Sequence, residues 1–162
     1  MSPAHAANDR PTIMARILSI DYGKKRTGLA VTDPLQLIAN GLATVSTSEL
    51  LNYIIAYTRR ESVERIVVGE PRQPNGKPSE NLPRVQQFVA TLRRQLPDIP
   101  VELYDERFTS VMAHQALIEG GAKKKTRQDK ALVDEISATI ILQNYMESQR
   151  MKKSHSVNRS PL

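Results

Sequence analysis

The stretch Arg16 to Asp33, RILSIDYGKKRTGLAVTD, constrains the chain most. It reads as a buried strand, a tight turn and a second strand. Ile17, Leu18 and Ile20 are apolar before the turn, and Leu29, Ala30 and Val31 mirror them after it. Gly23 is expected to give the turn a backbone conformation closed to other residues. Lys24, Lys25 and Arg26 place positive charge there. Asp21 stands at the end of the first strand, directly after Ile20. A carboxylate at that place must be paired, hydrogen-bonded or bound to a cation, because burying it bare is too costly. Asp21 is therefore the first candidate for chemistry, and its partners must come from elsewhere in the chain.

The rest of the sequence reads as one α/β domain of residues 14–149, at 162 residues in all the usual size for one core. Residues 1–13 form a polar, proline-containing extension expected to be disordered, and residues 150–162 a basic, frayed tail. Leu35 to Val45 alternates loosely and suggests a third antiparallel strand with a bulge or turn at Gly41. Ser46 and Glu49 stand at capping-box spacing, which starts a helix running to about Arg60 and burying Leu50, Leu51, Ile54, Ile55 and Tyr57. RIVVG, Arg65 to Gly69, has the β-branched character of a central parallel strand, with a loop from Glu70 onward. A helix over Leu82 to Leu96 and a strand over Val101 to Tyr104 follow. Thr109 to Glu119 reads as a helix, residues 122–128 as a basic linker, and Asp129 to about Met146 as the last helix. The sum is an antiparallel three-strand meander extended by parallel strands.

Three acids fall where they can converge. Glu106 stands just past a strand, as Asp21 does. Asp134 lies on a helical stripe with Ala131, Ala138, Ile141 and Tyr145, whose small residues allow close approach to the sheet. Three such carboxylates repel one another unless a cation neutralises them, and hard oxygen donors select Mg²⁺ or Mn²⁺. Such a site suits two-metal phosphodiester hydrolysis. The net charge of +6 fits a polyanionic partner. Lys24, Lys25, Arg26, Arg107, Lys123, Lys124, Lys125 and Arg127 are the candidates to hold it. Each signal also has a plainer reading. Asp134 could serve only the helix dipole, the lysines could be a solvated run, Arg107 could anchor a strand end, and Glu70 could be a loop residue rather than a fourth ligand. His5, His114 and His155 are scattered and carry no catalytic role. The absence of cysteine excludes disulfides and thiolate chemistry and suits a cytoplasmic protein. No apolar run reaches membrane-spanning length.

Taken together, IDYGKKRTGLAVTDP, VVGEPRQPNG, YDERFTS and KALVDEISATIIL resemble the YqgF/RuvX family, described both as pre-16S rRNA nucleases and as Holliday-junction resolvases. The resemblance covers about Ile17 to Tyr145. It implies a ribonuclease H-like fold, with a mixed five-stranded sheet flanked by helices. It also implies a divalent-metal hydrolase that matures the 5′ end of 16S rRNA. The family's acids fall on Asp21, Glu106 and Asp134. Glu70 departs from the pattern, since many members carry an apolar residue there. Three other functions compete: cleavage of branched DNA, a non-catalytic RNA-binding role in ribosome assembly, and ATP binding of the actin type. The last needs two lobes, and this chain holds one. Oligomeric state is not readable from the sequence.

Overall fold

Two apolar strands joined by a short turn can bury their backbone polar groups by pairing with each other, and this hairpin forms the middle of the sheet. The computed structural model describes residues 15–71, 73, 75, 77, 79–105 and 130–158. Its strands are β1 (Arg16–Asp21), β2 (Arg26–Thr32), β3 (Ala39–Ser46), β4 (Val63–Glu70) and β5 (Val101–Asp105), in the spatial order β3-β2-β1-β4-β5. β1 pairs antiparallel with β2, and β2 with β3, which is the expected meander. β4 joins β1 in parallel and β5 joins β4 in parallel. The sheet is therefore mixed and five-stranded, as the sequence suggested.

Alternation along β1 separates two cores. Leu18 and Ile20 face α1 (Leu50–Arg60) and α2 (Leu82–Gln95), where they pack with Leu50, Ile54, Val85 and Leu92. Ile17 faces the other way, onto Ala138, Ile141 and Tyr145 of α3 (Lys130–Asn158). Ser19 shares that face, and its buried hydroxyl donates to the Ala138 carbonyl at 2.9 Å. Of the stripe expected on the last helix, Ala138, Ile141 and Tyr145 pack on the sheet.

Several local expectations are corrected. Residues 33–38 form a loop rather than the start of a strand. Asp33 captures the backbone N–H groups of Leu35, Leu37 and Ile38 with its carboxylate, and Gln36 takes a left-handed φ of 58°. Gln36 is held there by side-chain bonds to the Ala15 carbonyl and to Glu64. The expected bulge does occur, as a register shift opposite Gly41 and Ala43. The capping box does not form. Ser46 makes no capping bond, and a short 3₁₀ turn, Thr47–Glu49, precedes α1. Glu70 is the last residue of β4, paired in register with Asp105 at the end of β5, rather than a loop residue. Finally, α3 runs on to Asn158, past the expected end near Met146 and through the start of the segment read as a tail. The helix expected at 109–119 and the linker at 122–128 lie outside the described residues.

Tyr145 anchors α3 to the far end of the sheet. Its hydroxyl accepts from Arg65 Nη1 at 2.7 Å, and its ring meets Tyr104 edge-on at 5.8 Å. Burial, with help from the neighbouring Glu102 and against the opposing Arg65, pushes its phenol up to about 12 from an ordinary 10.0. Tyr57 is shifted upward too, chiefly by burial. A raised phenol binds its proton more tightly folded than unfolded. The stability it confers is therefore complete below the unfolded value and is lost as pH rises toward the folded one. Unfolding free energy measured in urea should fall between pH 10 and about pH 12. Tyr145→Phe should flatten that fall without removing it, since Tyr57 remains. An unchanged slope in the variant would refute the assignment.

Candidate active site

Asp21 is the last residue of β1, and it shares the parity of Ile17 and Ser19, the side chains that meet α3. Its cross-strand partner in β2 is Gly28. Against Gly28 lies the backbone of Asp134: a Cβ added at 28 would overlap the Asp134 carbonyl oxygen. Asp21 and Asp134 are thus both neighbours of one glycine. They come from opposite ends of the chain and lie at one end of one sheet face. Both are half-buried. A larger residue at 28 would lift α3 off the sheet and separate them.

Arg26 pairs with Asp134. Its Nε donates to Asp134 Oδ2 at 3.2 Å, with the two side chains 40% and 26% exposed. A pair that open to water adds little stability. Its consequence is electrostatic: a guanidinium beside Asp134 offsets negative charge there. The sequence marked Arg26 as a nucleic-acid contact; its side chain is 40% exposed and pairs with Asp134. Lys24 and Lys25 are exposed at the turn.

The remaining acids divide by parity and position. Glu70 alternates with Ile66 and Val68, and Asp105 with Val101 and Leu103, so both belong to the opposite face from Asp21. Glu135 turns its side chain onto Gly41 of β3, away from β1. Glu106, Arg107, Lys123, Lys124, Lys125, Arg127, His5 and His114 lie outside the described residues, and of His155 only the backbone is described. Among the described residues no three of His, Asp or Glu gather to hold a metal. Asp21 and Asp134 nonetheless supply hard carboxylate donors on one face, the chemistry that Mg²⁺ or Mn²⁺ takes.

Sequence reasoning missed the supports of the β1–β2 turn. Thr47 donates its hydroxyl to the Gly23 carbonyl at 2.7 Å and its N–H to the Lys25 carbonyl at 2.9 Å. Asn81 Nδ2 donates to the Tyr22 carbonyl at 3.0 Å, and the Tyr22 ring lies 5.1 Å from Phe88. Gly23 is required for room: a Cβ there would overlap the Arg26 carbonyl oxygen. It is not held in a left-handed φ, the reason its type suggested. The turn composition signalled a turn, but nothing in it signalled partners twenty and sixty residues away.

The family model for RuvX, described as Holliday junction resolvase, matches residues 15–148. The chain belongs to the RuvX family. A protein of Phocaeicola vulgatus named "Putative pre-16S rRNA nuclease" is 65% identical over 137 residues, covering 85% of this chain and 99% of the relative. One of Bacteroides fragilis with the same name is 60% identical over 138 residues, covering 85% and 100%. Among solved structures, Thermus thermophilus RuvC in complex with a Holliday junction superposes with a TM-score of 0.52 at 16% identity, covering 84% of this chain and 96% of RuvC. At that identity the likeness concerns the fold, which is ribonuclease H-like. RuvX is a family of hydrolases acting on nucleic acid, and this chain shares it across nearly all its described length. No helix among the described residues is long and apolar enough to cross a membrane.

The glycine contact gives a direct test of the geometry. Gly28→Ala forces a Cβ against helix backbone, which cannot move aside cheaply, and should destabilise the protein by about 2–3 kcal/mol in urea unfolding. Gly41→Ala meets only the Glu135 side chain, which can swing away, and should cost well under half as much. Equal losses would show that α3 does not press on Gly28.

Proposed function

We propose that this chain is a cytoplasmic, divalent-metal-dependent endonuclease that hydrolyses phosphodiester bonds of RNA, acting on the 5′ end of pre-16S rRNA. The observation that carries this reading is the pair Asp21 and Asp134 flanking Gly28 on the α3 face. Membership of the RuvX family supports it, as do the names of the close relatives and the net charge of +6. Asp21 and Asp134 are the proposed holders of Mg²⁺ or Mn²⁺. Glu106 is the proposed third, since it directly follows the last residue of β5 and has the even numbering of Glu102 and Tyr104, whose strand positions face α3. When bound, the ion supplies neutralisation of charge on the phosphate and makes the attacking water more acidic.

The protein's own contribution is placement. Asp21 stands on the central strand and fixes the height of the site against the sheet. Asp134 brings the helix side, oriented by Arg26. Lys24 and Lys25 on the exposed turn, with Arg107, Lys123, Lys124, Lys125 and Arg127, draw and hold the polyanionic strand. The description of the family as resolvases favours branched DNA as the second reading of the substrate.

Cleavage assays separate these. An RNA transcript spanning the mature 5′ end of 16S rRNA and a four-way DNA junction are each incubated with the protein in Mg²⁺ or Mn²⁺. The expected result is cut RNA and an intact junction, and the reverse result makes the chain a resolvase. Asp21→Asn should lower cleavage by about a thousandfold or more while the melting transition stays in place. Undiminished RNA processing by that variant would leave a non-catalytic assembly factor as the reading.

A further inference from the structure

We propose that Thr47 is a positioning residue of the nucleic-acid contact: it closes a hydrogen-bonded ring around Gly23 that pre-sets the lysines of the β1–β2 turn for phosphate. The proposal rests on the RNA-cleaving reading above.

The ring follows from counting hydrogens. The Thr47 hydroxyl has one proton, and it goes to the Gly23 carbonyl at 2.7 Å. The two threonine hydroxyls lie 2.9 Å apart, so Thr27 must be the donor between them. Thr27 Oγ1 in turn accepts the Gly23 N–H at 3.4 Å. The path Gly23 N–H, Thr27 hydroxyl, Thr47 hydroxyl, Gly23 carbonyl is closed, with each donor used once. Thr27 is fully buried, so its hydroxyl needs these partners. The Thr47 N–H adds a bond to the Lys25 carbonyl at 2.9 Å. One residue from the start of another element thereby fixes the backbone on both sides of Lys24. Asn81 holds the preceding residue, Tyr22, through its carbonyl.

A lysine pair that merely keeps a surface solvated needs no such brace, because its backbone could move without loss. Bracing matters when charges must meet phosphates at fixed spacing, since ordering done beforehand is not charged against binding. The turn also leaves the sheet directly behind Asp21, so a fixed turn sets a fixed distance between phosphate contact and carboxylate. Gly23 completes the device, for a side chain there would collide with the Arg26 carbonyl.

The test compares Thr47→Val, which keeps the shape and removes the hydroxyl, with Thr47→Ser, which keeps the hydroxyl. Three readouts are taken: amide hydrogen exchange over residues 23–27, Kd for the 16S 5′-end transcript without added divalent ion, and the dependence of Kd on salt. Thr47→Val should speed exchange at Gly23, weaken RNA binding about tenfold and make the salt dependence shallower, and Thr47→Ser should keep all three near the parent values. Asn81→Ala should shift Kd the same way by less, and serves if Thr47→Val does not fold. The charge reversals Lys24→Glu and Lys25→Glu together separate the two levels of the argument. If they weaken binding while Thr47→Val and Asn81→Ala bind as the parent does, the positioning role is overturned. If they leave Kd unchanged, the turn is not an RNA contact and the proposal falls with that part of the reading. Faster exchange with unchanged Kd overturns it as well, by making the ring structural only.

Discussion

Everything at the candidate site depends on how closely α3 can lie on the sheet. A helix held away by large side chains would carry Asp134 over solvent. Here the contact residues are Gly28, Ala30 and Ser19 on the strands and Ala138 on the helix. The Ser19 hydroxyl reaches a helix carbonyl directly, which demands that backbone and strand come within hydrogen-bond reach. Gly28 permits the same intimacy one strand over, at Asp134 itself. At the other end Tyr145 locks the helix with a buried ring and a bond to Arg65. The helix is thus pinned at both ends of its contact, and its direction across the sheet follows from those two pins.

The period of two along β1 then decides which acids can cooperate. β1 is the central strand, with both faces covered. Its even residues serve the larger core and its odd residues the α3 face. Asp21 continues the odd series at the point where the core gives out, so it stays half-buried and reachable. Glu70 and Asp105 end their strands at the same edge of the sheet but on the other parity. Proximity in a drawing of the sheet edge would group all of them. Alternation does not, and this separates a ligand candidate from a carboxylate that only ends a strand.

Much of this was legible in the sequence because the relevant signals are local. The apolar runs in β1, β2 and β4 and the stripe Ala138, Ile141 and Tyr145 each announce their element and their buried face. Leu35, Leu37 and Ile38 misled for the same reason. They look like strand residues, yet they are 51%, 61% and 62% exposed. What overrides hydrophobicity there is Asp33, whose carboxylate binds three backbone N–H groups and is held below the usual carboxylate pKa range chiefly by the one from Ile38. Ser46 and Glu49 had the spacing of a cap, but the neighbouring Thr47 spends its polar groups on the β1–β2 turn instead. The Arg26–Asp134 pair and the Gly28 contact join residues more than a hundred positions apart. No period or spacing encodes them, because they exist only once α3 has been laid on the sheet.

Charge explains why the site is arranged as it is. Asp21 and Asp134 carry two negative charges, and Arg26 returns one. These three side chains together sum to one negative charge, although the chain as a whole carries +6. A phosphodiester brought there adds another negative charge at close range. Lys24 and Lys25, exposed on the turn, can attract a strand from outside. Under the proposed reading the deficit is met by a hard divalent cation, for which carboxylate oxygens are the matching donors. Arg26 cannot take that role, since one of its donors is already committed to Asp134 and a guanidinium carries only a single, spread charge. Under the proposed reading the surface lysines govern encounter and the inner acids govern reaction. Keeping those two tasks on separate residues is what a turn fixed from behind, at a set distance from Asp21, makes possible.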